Sequence, residues 1–168
     1  MHDFDEFDET SVRADSYFVA CTRGECGACL QPTALLALAL PRDHETWYDP
    51  NPDDPLDRGY WQTAEGTAFI FDIERLSPDV VRRVKAQSAC FLPERVGKKR
   101  SGNWINHCAR CGSAFNDQYL HCELDAAFVP TSAAAAALVT LTHFREPLLA
   151  TAGGYTFRPE FFADMRRG

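Results

Sequence analysis

The sequence predicts an α+β fold: two β-hairpins joined by an α/β insertion and extended by a C-terminal helix plus hairpin. Three observations predict it. Two Cys-x-x-Cys turns, Cys26/Cys29 and Cys108/Cys111, each follow an aromatic or β-branched run. Short apolar runs bounded by Gly, Pro and Asp recur along the chain. A segment with helix-start chemistry lies between the two turns. At 168 residues, 45% of them hydrophobic, the chain suits one domain with a substantial core.

Residues 1 to 15 carry five acids between Met1 and Glu9, with Phe4 and Phe7 as apolar anchors. They read as an acidic flexible tail ahead of a single domain spanning 16 to 168. Tyr17 to Ala20 is an aromatic and β-branched run, and Thr33 to Leu40 (TALLALAL) is an apolar run closed by Pro41. Eight residues ended by proline favour a strand, so these two runs form the first hairpin with a cysteine turn at its tip. Pro41 to Gly59 is rich in Pro, Asp and Asn and reads as a loop.

Thr67 to Ile73 (TAFIFDI) reads as a strand. Ser77-Pro78-Asp79 then supplies an N-cap, a proline at the first helical position and an early acid, with Val80, Val81 and Val84 on one face. A helix from Ser77 to Ala89 follows. Pro93 to Gly102 is a basic loop leading into a strand at Trp104 to His107, whose returning partner is expected at Tyr119 to His121. Thr131 or Ser132 caps a helix through the alanines to Leu141. Leu148 to Ala150 and Tyr155 to Phe157 flank Gly153-Gly154 as a last hairpin, and Pro159 to Met165 forms a short terminal turn.

Composition narrows the class of function. No apolar run reaches the ~20 residues that a bilayer requires, and the first residues have none of the features of a secretory signal, which predicts a soluble, cytoplasmic protein. The net charge is −7, and it is uneven: residues 1–60 hold 13 acids against 4 bases. Such acidity disfavours a protein that coats nucleic acid and suits a basic protein partner.

Seven cysteines, four of them in C-x2-C pairs, point in a reducing compartment to metal chemistry. A turn with two intervening residues brings two sulfurs within reach of one ion, so Cys26, Cys29, Cys108 and Cys111 together complete a tetrahedral Zn2+ site. Gly112 supplies a positive φ after the second pair, and Gly27 lies inside the first. Over residues 17–40 and 103–123 the sequence resembles the zinc-ribbon family. In particular, Asn106-His107-Cys108-Ala109-Arg110-Cys111-Gly112 resembles the NHCxxCG knuckle of uncharacterised bacterial proteins. That resemblance implies a fold element and no activity.

Three other readings use the same residues. Cys21, Cys26 and Cys29 fit the C-x4-C-x2-C spacing of a [2Fe-2S] electron carrier, with Cys90 as fourth ligand, although this leaves Cys108 and Cys111 unused. Cys26 and Cys29 also fit a thioredoxin-like dithiol, although Pro32 and the apolar run look like a hairpin return. His121-Cys122-Glu123 fits the H-x-E of zinc deaminases, but both C-x2-C pairs lie upstream of it, the reverse of that order. Cys90 and Cys122 otherwise read as small core residues.

No catalytic triad, phosphate-binding glycine loop or nicotinamide fingerprint is present, and four thiolates leave zinc no open position. The expected function is therefore that of a non-enzymatic zinc-binding protein recognising a protein partner, as an adaptor or toxin-neutralising immunity protein does. Trp47, Tyr48, Asp53, Asp54, Tyr60 and Trp61 are its candidate partner surface. The alternative is a nucleic-acid-binding zinc-ribbon regulator using Arg95, Lys98, Lys99, Arg100 and Trp104.

Overall fold

The computed structural model describes residues 9–157 and 159–168. Among the described residues eleven strands form a mainly antiparallel sheet, which short helices cover on both faces. Along the main path the order is β11-β9-β2-β3-β6-β10-β1-β4-β5. The strands are β1 (Val12–Ala14), β2 (Tyr17–Glu25), β3 (Pro32–Leu40), β4 (Glu45–Tyr48), β5 (Tyr60–Thr63), β6 (Ala68–Leu76), β7 (Phe91–Val96), β8 (Lys99–Asn106), β9 (Thr140–Phe144), β10 (Leu148–Phe157) and β11 (Arg166–Arg167). The hairpin β7–β8 branches from this path, with β8 pairing to β6.

The centre of the sheet explains the apolar runs. Alternate residues of a strand face opposite sides. Leu36, Leu38 and Leu40 of β3 enter one core with Tyr17, Val19 and Ile70, covered by Val80 and Val84 of helix α1 (Pro78–Gln87). Leu35, Ala37 and Ala39 enter the other. There they meet Leu120 of helix α2 (Asp117–Cys122), Ala136 of helix α3 (Ala133–Ala136), and Phe128, Phe162 and Met165. A strand buried on both faces carries no polar alternation, which is why TALLALAL reads as a continuous apolar run.

Several expected elements differ, each for a local reason. Of the segment expected as an acidic flexible tail, residues 1–8 lie outside the described residues. Val12–Ala14 joins the sheet between β10 and β4, with Val12 fully buried. Glu45–Tyr48 lies in the expected loop but pairs with β5, because two tryptophans and two tyrosines face each other across the strands. The basic segment is a hairpin turning at Gly97, whose φ is +64°. The alanine helix stops at Ala136, since Thr140, Leu141 and Thr142 pair with β2. Tyr119 to His121 is helical: the Asn116 side chain accepts a bond from the Tyr119 N–H and starts α2. The second cysteine turn therefore has a helix after it, where a returning strand was expected.

Leu148–Phe157 is one ten-residue strand, and the expected hairpin at Gly153-Gly154 does not form. Gly154 is needed for space. A Cβ there would lie 2.3 Å from the Phe71 ring of the neighbouring strand.

At α1, Ser77 makes no side-chain cap; its hydroxyl accepts from the Leu149 N–H instead and anchors the helix to β10. Beside it, Glu146 receives two bonds from Arg83, at 3.0 and 2.9 Å, and one from the Tyr17 hydroxyl at 2.7 Å. These donors, Arg83 first, hold the Glu146 carboxyl down at about 2. Among the described residues no helix is long and apolar enough to cross a membrane.

Candidate metal centre

The first cysteine turn connects β2 to β3, and the second follows β8. Both are built on one hydrogen-bond pattern. In the first, the Leu30 N–H donates to the Cys26 carbonyl at 2.8 Å and the Cys26 N–H to the Gln31 carbonyl at 3.0 Å. In the second, Gly112 donates to Cys108 at 2.9 Å and Cys108 to Ser113 at 2.8 Å. The residue after the second cysteine is left-handed in each: Leu30 has φ +59° and Gly112 φ +76°. The expected role of Gly112 holds, whereas in the first turn Leu30 takes the position that Gly27 does not.

Two contacts bring the turns together. The Asn106 side chain accepts from the Leu36 N–H and donates to the Leu36 carbonyl, both at 2.8 Å, filling the gap where β3 and β6 diverge. Closer to the cysteines, the Ala109 N–H donates to Thr33 Oγ1 at 3.1 Å. Asn106 is two residues before Cys108 and Thr33 four after Cys29, so these bonds set the separation of the turns.

The result is a cluster of four sulfurs, all within 4.8 Å of one another. Cys26 Sγ lies 3.6 Å from Cys111 Sγ, and Cys29 Sγ 3.7 Å from Cys108 Sγ. A tetrahedron with metal–sulfur bonds of ~2.3 Å has edges of ~3.8 Å, so the donor set fits a four-coordinate thiolate site. Cys26 and Cys108 are buried, Cys29 half-buried and Cys111 exposed.

The surroundings favour thiolate on the second turn. Ser113, through its hydroxyl and its backbone N–H, draws the Cys111 thiol down to about 6. The N–H groups of Cys111 and Arg110 lower Cys108. Cys29 is drawn down by the Gln31 N–H, but desolvation and the neighbouring sulfurs outweigh that and leave it at about 11.

Cys21 and Cys90 stand outside the cluster, and among the described residues no other set of His, Cys, Asp and Glu side chains closes to metal-binding distance. The C-x4-C-x2-C spacing therefore does not translate into a ligand set. His121 of the H-x-E match stacks between Phe71 and Phe128, with ring centroids 5.1 Å from each. It faces Asp117 at 3.8 Å, and its Nδ1 has no partner. Asp117 and His121 meet because α2 sets them i, i+4, a relation that the strand expected at Tyr119 to His121 does not give.

The candidate partner surface divides in two. Trp47 and Trp61 pair edge to face at 5.5 Å on one side of the β4–β5 ribbon, and the Arg13 guanidinium covers Trp61 at 4.1 Å. Tyr48 and Tyr60 stack on the opposite side at 5.2 Å and are 57% and 52% exposed. Asp53 and Asp54 lie in the exposed connecting loop, where the Leu56 N–H donates to Asp54 and the Asp53 N–H to Asn51.

Arg95, Lys98, Lys99 and Arg100 are exposed around the tip of the β7–β8 hairpin. Trp104 is not with them: it is 7% exposed and packs on Phe91 in the core. The basic surface thus lacks the stacking aromatic expected beside it.

No family model matches the chain, nor does a curated protein or a solved structure.

Proposed function

We propose that Cys26, Cys29, Cys108 and Cys111 hold one structural Zn2+ ion, and that the chain is a non-enzymatic binding protein that recognises a protein partner. The sulfur geometry carries the first half. Four thiol ligands at tetrahedral spacing, supplied by two matching turns, suit zinc and fill every coordination position, leaving none for a substrate or an attacking water. The ion then ties the β2–β3 hairpin to the end of β8, two parts of the chain joined locally by few other bonds. A reducing, cytoplasmic setting belongs to the same reading, since four free thiols persist there.

The second half rests on the ribbon. Tyr48 and Tyr60 offer an exposed aromatic pair, and the loop that joins their strands carries Leu56, which is 85% exposed, and the carboxylates Asp49, Asp53, Asp54 and Asp57. Aromatic side chains of this kind anchor interfaces, while the acids favour a basic partner, as an adaptor or toxin-neutralising immunity protein would meet. The zinc would hold the scaffold and the ribbon would make the contact. Trp47 and Trp61, one of them already covered by Arg13, would stiffen the ribbon from behind.

Metal analysis of purified protein tests the first half; about one zinc per chain is expected, and iron with sulfide in its place would overturn it. For the second, the complex with a co-purifying basic protein should be lost on Tyr48→Ala/Tyr60→Ala and kept on Lys98→Glu/Lys99→Glu. A salt-dependent shift of duplex DNA or RNA, abolished by Lys98→Glu/Lys99→Glu, would favour the nucleic-acid regulator instead.

A further inference from the structure

We propose that the cysteine centre is an oxidation site at which a hydroperoxide converts the four thiolates into two disulfides that run between the turns, Cys26 to Cys111 and Cys29 to Cys108. This rests on the four-cysteine zinc reading and adds a chemical reactivity to it. Spacing alone would suggest the opposite pairing, because Cys-x-x-Cys sulfurs are neighbours in sequence. Two sulfur contacts, at 3.6 and 3.7 Å, already join one turn to the other within a cluster whose sulfurs all lie within 4.8 Å, so bonds between the turns form there without moving either turn far.

The entry point is Cys111, the one exposed member of the set. Its thiolate attacks the terminal peroxide oxygen, the O–O bond breaks, and the sulfur becomes a sulfenic acid while the leaving alkoxide, hydroxide in the case of hydrogen peroxide, takes a proton to form an alcohol or water. Cys26, the sulfur in contact with it, then attacks the oxidised sulfur; the S–O bond breaks, water leaves, and the disulfide forms. Each disulfide uses one peroxide, which accepts the two electrons that the two sulfurs give up. Repeating the step at Cys29 and Cys108 takes a second peroxide. A disulfide sulfur is no longer an anionic ligand, so a zinc ion held by the four thiolates would be released.

The pairing decides what happens to the fold. Disulfides within each turn would leave the turns unconnected once zinc has gone. Bonds between the turns replace the ion at the same place, and they close loops of 85 and 79 residues, long crosslinks that restrict the unfolded chain. Oxidation therefore exchanges a metal clasp for a covalent one, with the sheet retained.

The test uses the zinc-loaded full chain treated with hydrogen peroxide. Titration in denaturant should fall from seven free thiols to three, those of Cys21, Cys90 and Cys122, as one zinc per chain is released. Non-reducing peptide mapping should recover Cys26–Cys111 and Cys29–Cys108, and the oxidised protein should melt cooperatively, with zinc and the original melting curve restored by reductant plus zinc. Recovery of Cys26–Cys29 and Cys108–Cys111, or of sulfonic acids, overturns the proposal while leaving the zinc site intact. A starting protein without zinc would instead count against the metal reading. Cys21→Ser/Cys90→Ser/Cys122→Ser protein, mapped in parallel, should give the same two disulfides; loss of either overturns the direct route.

Discussion

The Asn106 side chain pairs with the backbone of Leu36 as a strand residue would, accepting from its N–H and donating to its carbonyl at 2.8 Å each. Both residues are buried, Asn106 at 1% exposure and Leu36 at 2%. The amide thus satisfies two peptide groups of β3 at the point where β6 no longer runs beside it, and it does so two residues before Cys108 of the four-sulfur cluster.

Asn106→Ala should lower stability by ~2–6 kcal/mol, because two buried backbone groups lose their partners at ~1–3 kcal/mol each. Asn106→Asp is predicted to be as damaging at neutral pH. Its carboxylate can still accept from the Leu36 N–H, but it faces the Leu36 carbonyl without a proton to donate. Acidification should partly rescue Asp relative to Ala, and urea unfolding of both variants at two pH values measures this.

The cysteine set gives a second expectation. Metal binding contributes directly to folding, since the thiolates are not gathered in the unfolded chain. Cys26→Ser and Cys111→Ser should therefore lose zinc and melt lower. Cys90→Ser and Cys122→Ser should keep it with little loss of stability, because Cys90 is half-buried and Cys122 exposed where small core residues were expected. Zinc content and thermal unfolding of the four variants check the assignment. Zinc lost from Cys90→Ser and kept by Cys111→Ser would return the [2Fe-2S] ligand set to consideration.

The four clustered cysteines were legible in the sequence because a C-x2-C turn is a local object: four residues contain its chemistry. So was β3, where double-sided burial leaves a continuous apolar run. The strand at Glu45–Tyr48 was hidden because Pro and Asp surround it, and its stability comes from Trp61 and Tyr60 across the ribbon, more than ten residues away. Leu148–Phe157 was misread at Gly153-Gly154 for a similar reason. Those glycines suggest a turn, yet one is there to make room for Phe71 on another strand. Asn106 looked like part of a cysteine motif, and its pairing with Leu36, 70 residues distant, has no sequence signature.

The buried pair on α2 predicts opposing pH effects. Burial lowers His121 from 6.5 to about 3, so its folded form resists protonation. Its contribution is present above pH 6.5 and is lost as pH falls toward 3, where the unfolded chain binds the proton more readily. Burial raises Asp117 from 3.8 to about 6, against a bond from the Asp72 N–H that lowers it. That contribution is full below 3.8 and is lost as pH rises through 6. Asp117→Asn should therefore match wild type near pH 4 and exceed it near pH 8, since the amide oxygen keeps the bond to Asp72. His121→Phe, stacked between the same two rings, should flatten the loss between pH 6.5 and 3. Comparing each variant with wild type at the same pH removes the shared effect of zinc release.

Leu30 offers a change that should stabilise the protein without touching a ligand. It holds a left-handed conformation at φ +59°, in the position that Gly112 occupies in the second turn. For a residue with a Cβ that conformation costs ~1–2 kcal/mol, and glycine adopts it freely. Two losses oppose the gain: the apolar contact of the leucine side chain, and the greater freedom of glycine in the unfolded chain. The side chain is 64% exposed, so the first is small. Leu30→Gly should accordingly raise stability by ~0.5–1 kcal/mol with zinc content unchanged. Gly112→Leu, the reverse exchange in the matching turn, should lower it, because a Cβ at φ +76° meets the same strain even though no atom lies within 4 Å of it. Thermal unfolding of the zinc-loaded pair decides the matter. Equal and opposite shifts would show that the two turns are energetically equivalent, whereas a loss at Leu30→Gly would mean that its side chain packs in solution more closely than its exposure indicates.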